Sequence, residues 1–396
     1  MKIVSICHMF PNSVNPNLGI FVKERLLHVA QKVNLTMVAP VPSFPFIERT
    51  KKYSGYKSIK LEESCDGMTV FHPRYFMIPK YLKTLDARFY EMSLRSYIKN
   101  ILDETEAQVL DAHWVYPDGF AALEWARRFN KKVVVTVRGN EALHYYQDTA
   151  IRKMIVQKMH LFDHVISVSE DLKEKMIHEY NVSPNKITVI HNGIDKSKFS
   201  PIDKKYARSK CGFTDDSKYI LAISRLSSEK GLEYLLEAVK MLKTQNVKLA
   251  LVGDGPLYNT LNDYVLQNNL ADKVRFVGAV PHKDLNLWYN AADVFCLSSL
   301  WEGCPNVVIE ALACGTPVVS SDVGAVSHFV NESCGMVVPR GKSDALSKAL
   351  DMVLNRLWDQ KKLSQTSSLK GWADVAEDVI DIFQKIIGRE NDSVSI

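Results

Sequence analysis

The sequence lacks long apolar runs and regular cysteine spacings. In its 396 residues, no stretch reaches the roughly 18 consecutive apolar residues of a membrane-spanning helix, so none is expected. Its seven cysteines include no Cys-x-x-Cys pair. This favours reduced thiols in a cytoplasmic protein over a disulfide or zinc framework. The sequence also shows no repeat that would indicate a solenoid.

Strong net charge is missing as well. The formal net charge is +5, and no basic run is interleaved with aromatic residues. We therefore expect no nucleic-acid partner. A mild positive charge suits an anionic small ligand or an anionic membrane face.

The turn Gly253-Asp254-Gly255 lacks the third glycine of a dinucleotide-binding fingerprint, because Tyr258 stands in that position. Binding of NAD is therefore poorly supported, and with it an oxidoreductase. The turn follows an apolar run, and two interpretations stay open: it approaches a phosphate, or it is purely structural.

Short runs rich in Val and Ile alternate with amphipathic stretches along the whole chain. Runs without polar alternation indicate strands buried on both faces, and their alternation with helices predicts parallel, doubly wound sheets. Thirteen strands are too many for one twisted sheet, so we expect an α/β protein of two Rossmann-like domains. The predicted strands are Ile3–Cys7, Leu35–Ala39, Thr69–His72, Val109–Ala112, Val133–Val137, Val165–Val168, Ile187–Ile190, Tyr219–Ile223, Val247–Val252, Val274–Val277, Val294–Leu297, Pro317–Ser320 and Met336–Val338.

The predicted domains are residues 1–195 and 196–371, because a strand ends in the turn signal at 191–195. A last amphipathic helix is expected within 372–396. Two such domains facing each other would form a cleft at the carboxyl ends of their strands, where ligands bind.

Two cations follow the strand that ends near Ile223. Arg225 and Lys230 stand in a loop before a helix that starts near Gly231. Free N–H groups and the positive end of a helix dipole, together with two cations, suit a diphosphate. The alternative is a solvated surface loop.

Two carboxylates eight positions apart follow the strand Val294–Leu297. Glu302 lies in the loop and Glu310 about one turn inside the helix that Pro305 or Asn306 opens. An ionised carboxylate can accept hydrogen bonds from two vicinal hydroxyls, such as those of ribose or a hexose. Taken singly, each acid also fits a structural role; taken with Arg225 and Lys230, they favour a nucleotide-sugar site.

Three segments resemble glycosyltransferase family 4, retaining enzymes with the GT-B fold. They are Ser-Arg-Leu-x-x-x-Lys-Gly from Ser224, Val-Gly-Asp-Gly-Pro from Val252, and the stretch 302–319, whose two glutamates have seven residues between them. The resemblance extends over nearly the whole chain and implies two Rossmann-like domains across a cleft. It also implies that the last helix crosses back to the first domain.

The resemblance further implies roles for individual residues. Arg225 and Lys230 would bind the donor diphosphate and assist catalysis, Glu302 would contact the transferred sugar, and Glu310 would hold the ribose. The segment Gly278–Pro281 would take the base. Metal independence and the absence of a cofactor are implied too. The remaining implied donor contacts are backbone groups of Gly303, Cys304, Pro305 and Asn306.

The first half supplies three further candidates. Gly19 opens a helix after a long loop and suits close approach of a phosphate or sugar. His113 ends a strand in a segment that resembles the family's His-Trp-x-x-Pro-Asp-Gly, and we predict a catalytic role for it. Arg138 departs from the histidine that is common in the family. It either assists phosphate or acceptor binding or pairs with Glu141.

The sequence thus predicts a hexosyltransferase that uses a nucleotide-sugar, a UDP-sugar foremost, with a glycan or lipid-linked acceptor. A GT-B epimerase or phosphorylase is the alternative. The apolar and basic segment 71–83, with Arg88 and Arg95 after it, suggests peripheral contact with an anionic membrane, although ordinary packing is the simpler interpretation. The expected location is the cytoplasm, at the inner face of the cell membrane.

Overall fold

The computed structural model describes residues 1–79, 81–139, 150–214, 216–366 and 368–393. The chain divides into two compact units. Unit 1 comprises Met1–Asn192 and the segment that begins at Trp372, and unit 2 comprises Gly193–Gly371. The domain boundary predicted from the sequence lies after residue 195, whereas the first segment of unit 1 ends at Asn192.

Unit 1 contains an eight-stranded sheet with the strand order β10-β9-β8-β7-β1-β2-β5-β4. Its neighbours pair in parallel except β4, which forms an antiparallel hairpin with β5. A separate parallel pair joins β3 and β6. The strands are β1 Lys2–Ile6, β2 Asn34–Val38, β3 Val41–Ser43, β4 Glu62–Cys65, β5 Met68–Phe71, β6 Arg74–Phe76, β7 Val109–His113, β8 Lys132–Val137, β9 His164–Ser167 and β10 Ile187–Val189.

Helices connect the parallel strands of unit 1. α3 shows their amphipathic pattern, because its Phe120, Leu123 and Trp125 are buried. The central strand β8 is buried along nearly its whole length, which explains its continuous run of valines. The helices are α1 Ile20–Ala30, α2 Asp86–Thr105, α3 Phe120–Phe129, α4 Ala150–Lys158 and α5 Glu170–Tyr180.

Unit 2 contains a six-stranded parallel sheet with the order β13-β12-β11-β14-β15-β16, the doubly wound order of a dinucleotide-type fold. The strands are β11 Lys218–Ile223, β12 Val247–Val252, β13 Val274–Gly278, β14 Val294–Leu297, β15 Val318–Ser321 and β16 Gly335–Val338. The helices are α6 Lys204–Cys211, α7 Leu232–Lys240, α8 Tyr258–Gln267, α9 Leu285–Ala291, α10 Asn306–Ala313, α11 Val326–Phe329, α12 Ser343–Leu354 and α13 Gln360–Ser364.

The last helix, α14 (Trp372–Ser393), belongs to unit 1. Its buried residues Trp372, Val379 and Phe383 pack in one apolar cluster with Ile3 of β1 and Val109 of β7. It also lies against α1. The amphipathic pattern of this segment is therefore explained by burial against the sheet of unit 1.

Three strands were not predicted from the sequence, and all are short. β4 exposes alternate residues because it is the edge of its sheet. β3 and β6 have three residues each and pair only with one another. The turn that joins β4 to β5 carries Asp66-Gly67, both with positive φ, and Asp-Gly between extended runs is a hairpin signal that could have revealed β4.

Candidate functional site

The loops after β11 and β14 lie side by side at the carboxyl edge of the unit 2 sheet. After β11 the chain enters α7, whose Leu232 and Leu235 pack in the core on one face of the sheet. After β14 it enters α10, whose Val308 and Ile309 pack on the other face. Adjacent strands whose connections leave to opposite faces open a crevice between their ends, which is where sheets of this kind bind ligands.

Backbone contacts join the two loops closely. The N–H of Leu300 donates to the carbonyl of Glu229 at 2.8 Å, and Ser298 Oγ donates to the carbonyl of Lys230 at 3.0 Å. Gly231 has φ 54°, and a Cβ there would stand 2.5 Å from the Ser298 carbonyl oxygen. The loop after β11 is thus fixed against the end of β14.

Lys230 and Glu302, two predicted site residues, meet across these loops. Lys230 Nζ lies 2.7 Å from Glu302 Oε1, and Ser299 Oγ donates to the same oxygen at 2.6 Å. The side chains remain 20% and 14% exposed, so both ends of the ion pair are accessible to solvent. Arg225 lies in the same loop as Lys230, with its side chain exposed.

The glycines of the turn after β12 make room for neighbouring backbone. A Cβ on Gly253 would stand 1.9 Å from the carbonyl oxygen of Ser224, and one on Gly255 would stand 2.4 Å from that of Leu226. The Leu226 N–H also donates to the Asp254 carbonyl at 3.0 Å. Both positions therefore need glycine for a structural reason: the turn packs closely against the loop that carries Arg225 and supports it.

The predicted helix start after Glu302 is found at Asn306, with Pro305 before it in extended conformation. Gly303 and Pro305 are buried, whereas Cys304 and Asn306 are partly exposed. The Gly303 carbonyl accepts from the N–H of Ala325 at 3.0 Å. Helix α10 therefore begins four positions after Glu302.

Glu310 lies inside α10 and is held by two side chains that were not predicted from the sequence. Its Oε1 lies 2.9 Å from His282 Nε2, and its Oε2 accepts from Tyr289 Oη at 2.8 Å. Burial and the neighbouring carboxylate raise the pKa of Tyr289 well above its ordinary value, which keeps its hydroxyl a donor. His282 directly follows Pro281, the exposed last residue of the predicted base-binding segment.

Gly19 in unit 1 has φ 63° and stands immediately before α1. A Cβ there would lie 2.0 Å from the carbonyl oxygen of Met9, within the loop that follows β1. Glycine is thus required by the loop itself. Its predicted contact with the donor stays a prediction.

His113 ends β7 and is fully buried. Arg138 Nη2 donates to His113 Nδ1 at 3.0 Å, and His113 Nε2 lies 3.1 Å from Asp111 Oδ2. Burial lowers the pKa of His113 to about 4. Burial would raise the pKa of Asp111, but His113, Arg25 and the Ser5 hydroxyl outweigh it and bring that pKa to about 2.

Arg138 follows β8 and is also buried. Besides His113, its guanidinium contacts Asn192 Oδ1 at 3.5 Å and stacks 5.1 Å from the ring centre of Phe21. The predicted pairing partner Glu141 lies outside the described residues. Arg138 and His113 are therefore joined by a hydrogen bond that was not predicted from the sequence.

A second unpredicted cluster follows β1. The fully buried carboxylate of Asp118 accepts from the backbone N–H of His8 at 2.9 Å and from Tyr90 Oη at 2.7 Å, and it also contacts His8 Nδ1. This cluster joins the end of β1 to the turn after β7. Asp118 is part of the Pro-Asp-Gly segment, so the motif has a structural role in unit 1.

Within the described ranges, no group of three or more His, Cys, Asp or Glu side chains could hold a metal ion. In the same part of the chain, no helix is long and apolar enough to cross a membrane.

Comparison with known proteins defines the class. The model of glycosyl transferases group 1 matches residues 203–368, and that of glycosyltransferase family 4 matches residues 53–198. The chain is a glycosyltransferase of the GT-B fold. It belongs to the group 1, family 4 glycosyltransferases, as the motifs around Arg225 and Glu302 indicated.

Several proteins are similar to it. An uncharacterized glycosyltransferase of Methanocaldococcus jannaschii is 33% identical over 57% of this chain and 61% of its own length. Bacillus subtilis TuaC, whose name assigns it to teichuronic acid biosynthesis, is 29% identical over 88% of each chain. Among solved structures, Anabaena HepE in complex with UDP has a TM-score of 0.70 and 17% identity, over 97% of this chain and all of that one.

Proposed function

We propose that this chain transfers a hexose-type sugar from a nucleotide-sugar, a UDP-sugar foremost, to a glycan or lipid-linked acceptor. We include retention of anomeric configuration and a role in cell-surface polysaccharide biosynthesis in the proposal. The contact between Lys230 and Glu302 at the switch point of the unit 2 sheet supports it most, because it sets a cation and a hydroxyl acceptor beside a helix start.

Each residue has a chemical role in this proposal. Arg225 and Lys230 bind the diphosphate and stabilise its charge as it leaves, which is the main catalytic effect. Glu302 accepts from hydroxyls of the sugar, and Glu310 accepts from those of the ribose. The N–H groups at the start of α10 face the phosphate.

The relatives point in the same direction. One structural neighbour holds UDP, and the name of TuaC refers to teichuronic acid biosynthesis. A screen of UDP-, GDP- and ADP-sugars with and without EDTA, read by protein melting and by sugar release, identifies the donor and tests metal independence. Anomeric NMR of the product tests retention, and conversion of the donor alone into another sugar-nucleotide would contradict transfer in favour of epimerisation.

Lys230→Ala tests the site directly. Loss of one charge-assisted contact to the diphosphate should weaken nucleoside diphosphate binding by about 1.5–3 kcal/mol in calorimetry. Lys204→Ala is the matched control, because Lys204 also forms an ion pair in unit 2, with Asp293 Oδ1 at 2.6 Å. Equal affinities for both variants and the wild type would refute the assignment.

We include peripheral membrane contact in the same proposal. Phe76, Tyr81, Leu82 and Met92 are large apolar side chains with exposed surface in unit 1, and the guanidinium-bearing side chain of Arg88 is exposed near them. Such a surface suits an anionic bilayer. Sedimentation with phosphatidylglycerol vesicles, but not with phosphatidylcholine vesicles, is the expected result; equal recovery in both pellets would contradict it.

A further inference from the structure

Glu310 is held from two directions in unit 2. His282 Nε2 lies 2.9 Å from one carboxylate oxygen, and Tyr289 Oη lies 2.8 Å from the other. His282 comes from the turn after β13 and Tyr289 from α9, so different elements supply the two contacts. The rotation of this carboxylate is therefore restrained at both oxygens.

Packing fixes the two partners in turn. The buried ring of Phe199 meets the His282 ring edge-on with centres 5.2 Å apart, and the Tyr289 ring with centres 6.0 Å apart. Edge-to-face aromatic contacts of this kind favour one ring orientation. The Glu310 carboxylate thus rests on rings that a third ring positions.

The proton positions follow from the chemistry of the groups. A carboxylate only accepts hydrogen bonds, so Tyr289 donates its hydroxyl proton and His282 donates from Nε2. Each carboxylate oxygen has further acceptor capacity after these bonds. Two neighbouring hydroxyls of one ligand can therefore bind the two oxygens together, at an orientation that exists before the ligand arrives.

We propose that His282 is a positioning residue through which Glu310 distinguishes a ribonucleotide from its 2′-deoxy counterpart. The inference rests on the proposed function, in which Glu310 holds the donor ribose. His282 is the more open of the two partners: its side chain is 30% exposed, whereas that of Glu310 is 7% exposed and Tyr289 is fully buried.

The specificity arises because the diol binds both oxygens at once. With His282 in place, a ligand without the 2′-hydroxyl leaves one oriented acceptor unfilled, and such mismatches weaken binding strongly. Without His282, the carboxylate can rotate, and the second hydroxyl then adds less to the binding free energy. The difference between the two ligands should therefore shrink when His282 is removed.

The test is calorimetry with UDP and 2′-deoxy-UDP, or with the corresponding GDP or ADP pair if that base binds better. In His282→Ala, we expect UDP affinity to fall about tenfold and 2′-deoxy-UDP affinity to fall less than about twofold. His282→Gln retains an N–H donor at similar reach and should restore most of the difference. His178→Ala is the control, because His178 also pairs with a glutamate, at 3.2 Å, and its side chain is exposed on helix α5 of unit 1.

The outcomes separate the two proposals. Failure of the wild type to bind any of the nucleoside diphosphates overturns the proposed function and this inference with it. If the wild type binds and His282→Ala loses the same affinity for both ligands, or loses none, the inference alone is overturned. Thermal unfolding of each variant shows whether unit 2 is intact, and His282→Gln decides the matter if His282→Ala does not fold.

Discussion

The buried histidine of unit 1 makes the stability of that unit dependent on pH. His113 is fully enclosed at the end of β7, and burial lowers its pKa from 6.5 to about 4. Arg138 and Arg25 add positive charge nearby, whereas Asp111 acts in the opposite sense. The native state therefore resists protonation of this ring, and the unfolded chain does not.

The sign and size of the effect follow from linkage. Because the folded pKa lies below the unfolded one, the contribution of His113 is fully present above pH 6.5 and is lost as the pH falls towards 4. The loss is about 1.4 kcal/mol per pH unit, so at pH 5 it amounts to about 2 kcal/mol. The pKa of Asp111 is lowered to about 2, so its effect on stability falls below this pH range.

His113→Asn isolates this contribution. Asparagine does not titrate, and its side-chain oxygen can accept the hydrogen bond that Arg138 now donates to Nδ1. Buried His72 also has a lowered pKa, but it is present in both proteins and cancels. The free energy of opening is measured at pH 7.5 and 5.0 from hydrogen exchange of the β7 and β8 amides, which reports on unit 1 alone.

We expect the wild type to lose about 2 kcal/mol more than His113→Asn between these two pH values. The comparison concerns the change with pH within each protein, so a variant that is less stable at both values does not disturb it. An equal loss in the two proteins would show that the pKa of His113 is the same in the native and unfolded states, and would refute the lowered pKa of the buried imidazole.

Two further predictions concern unit 2. Gly253→Ala should lower the free energy of unfolding by more than about 2 kcal/mol. The reason is a backbone clash, because the added Cβ would stand 1.9 Å from the Ser224 carbonyl oxygen. Gly278→Ala is the control, since Gly278 has φ 85° but no atom within 4 Å of that Cβ; equal losses would contradict the packing argument. Arg225→Ala should weaken UDP about tenfold while leaving uridine unchanged in calorimetry, and a parallel loss for uridine would place Arg225 away from the diphosphate.

Burial decided which parts of the fold the sequence could predict. Central strands such as β8 and β12 are buried on both faces, so their apolar runs mark their positions almost residue by residue. β3 contains Pro42 and has three residues, and β4 exposes alternate side chains at the sheet edge. Their stability comes from a neighbour rather than from their own pattern, and apolar periodicity does not show that neighbour.

The same distinction applies to the site. Arg225, Lys230, Glu302 and Glu310 could be named because each follows a strand with a clear apolar pattern. The contacts of Glu310 with His282 and Tyr289 could not, because they span 28 and 21 residues that include strand β14. Such contacts depend on the positions of α9 and α10 in the packed unit, which no spacing in the sequence encodes.

The strand order explains why residues far apart in sequence still meet. After β11 the chain builds β12 and β13 on one side, and then returns to place β14 on the other side of β11. This reversal brings Lys230 and Glu302, 72 positions apart, to 2.7 Å. A reversal also occurs in unit 1, where β2 lies on one side of β1 and β7 on the other; Gly19 lies in the loop after β1, and His113 ends β7. These four predicted residues therefore lie where the strand order of a sheet reverses, and neighbouring loops at such a point leave a crevice of the kind in which these sheets bind ligands.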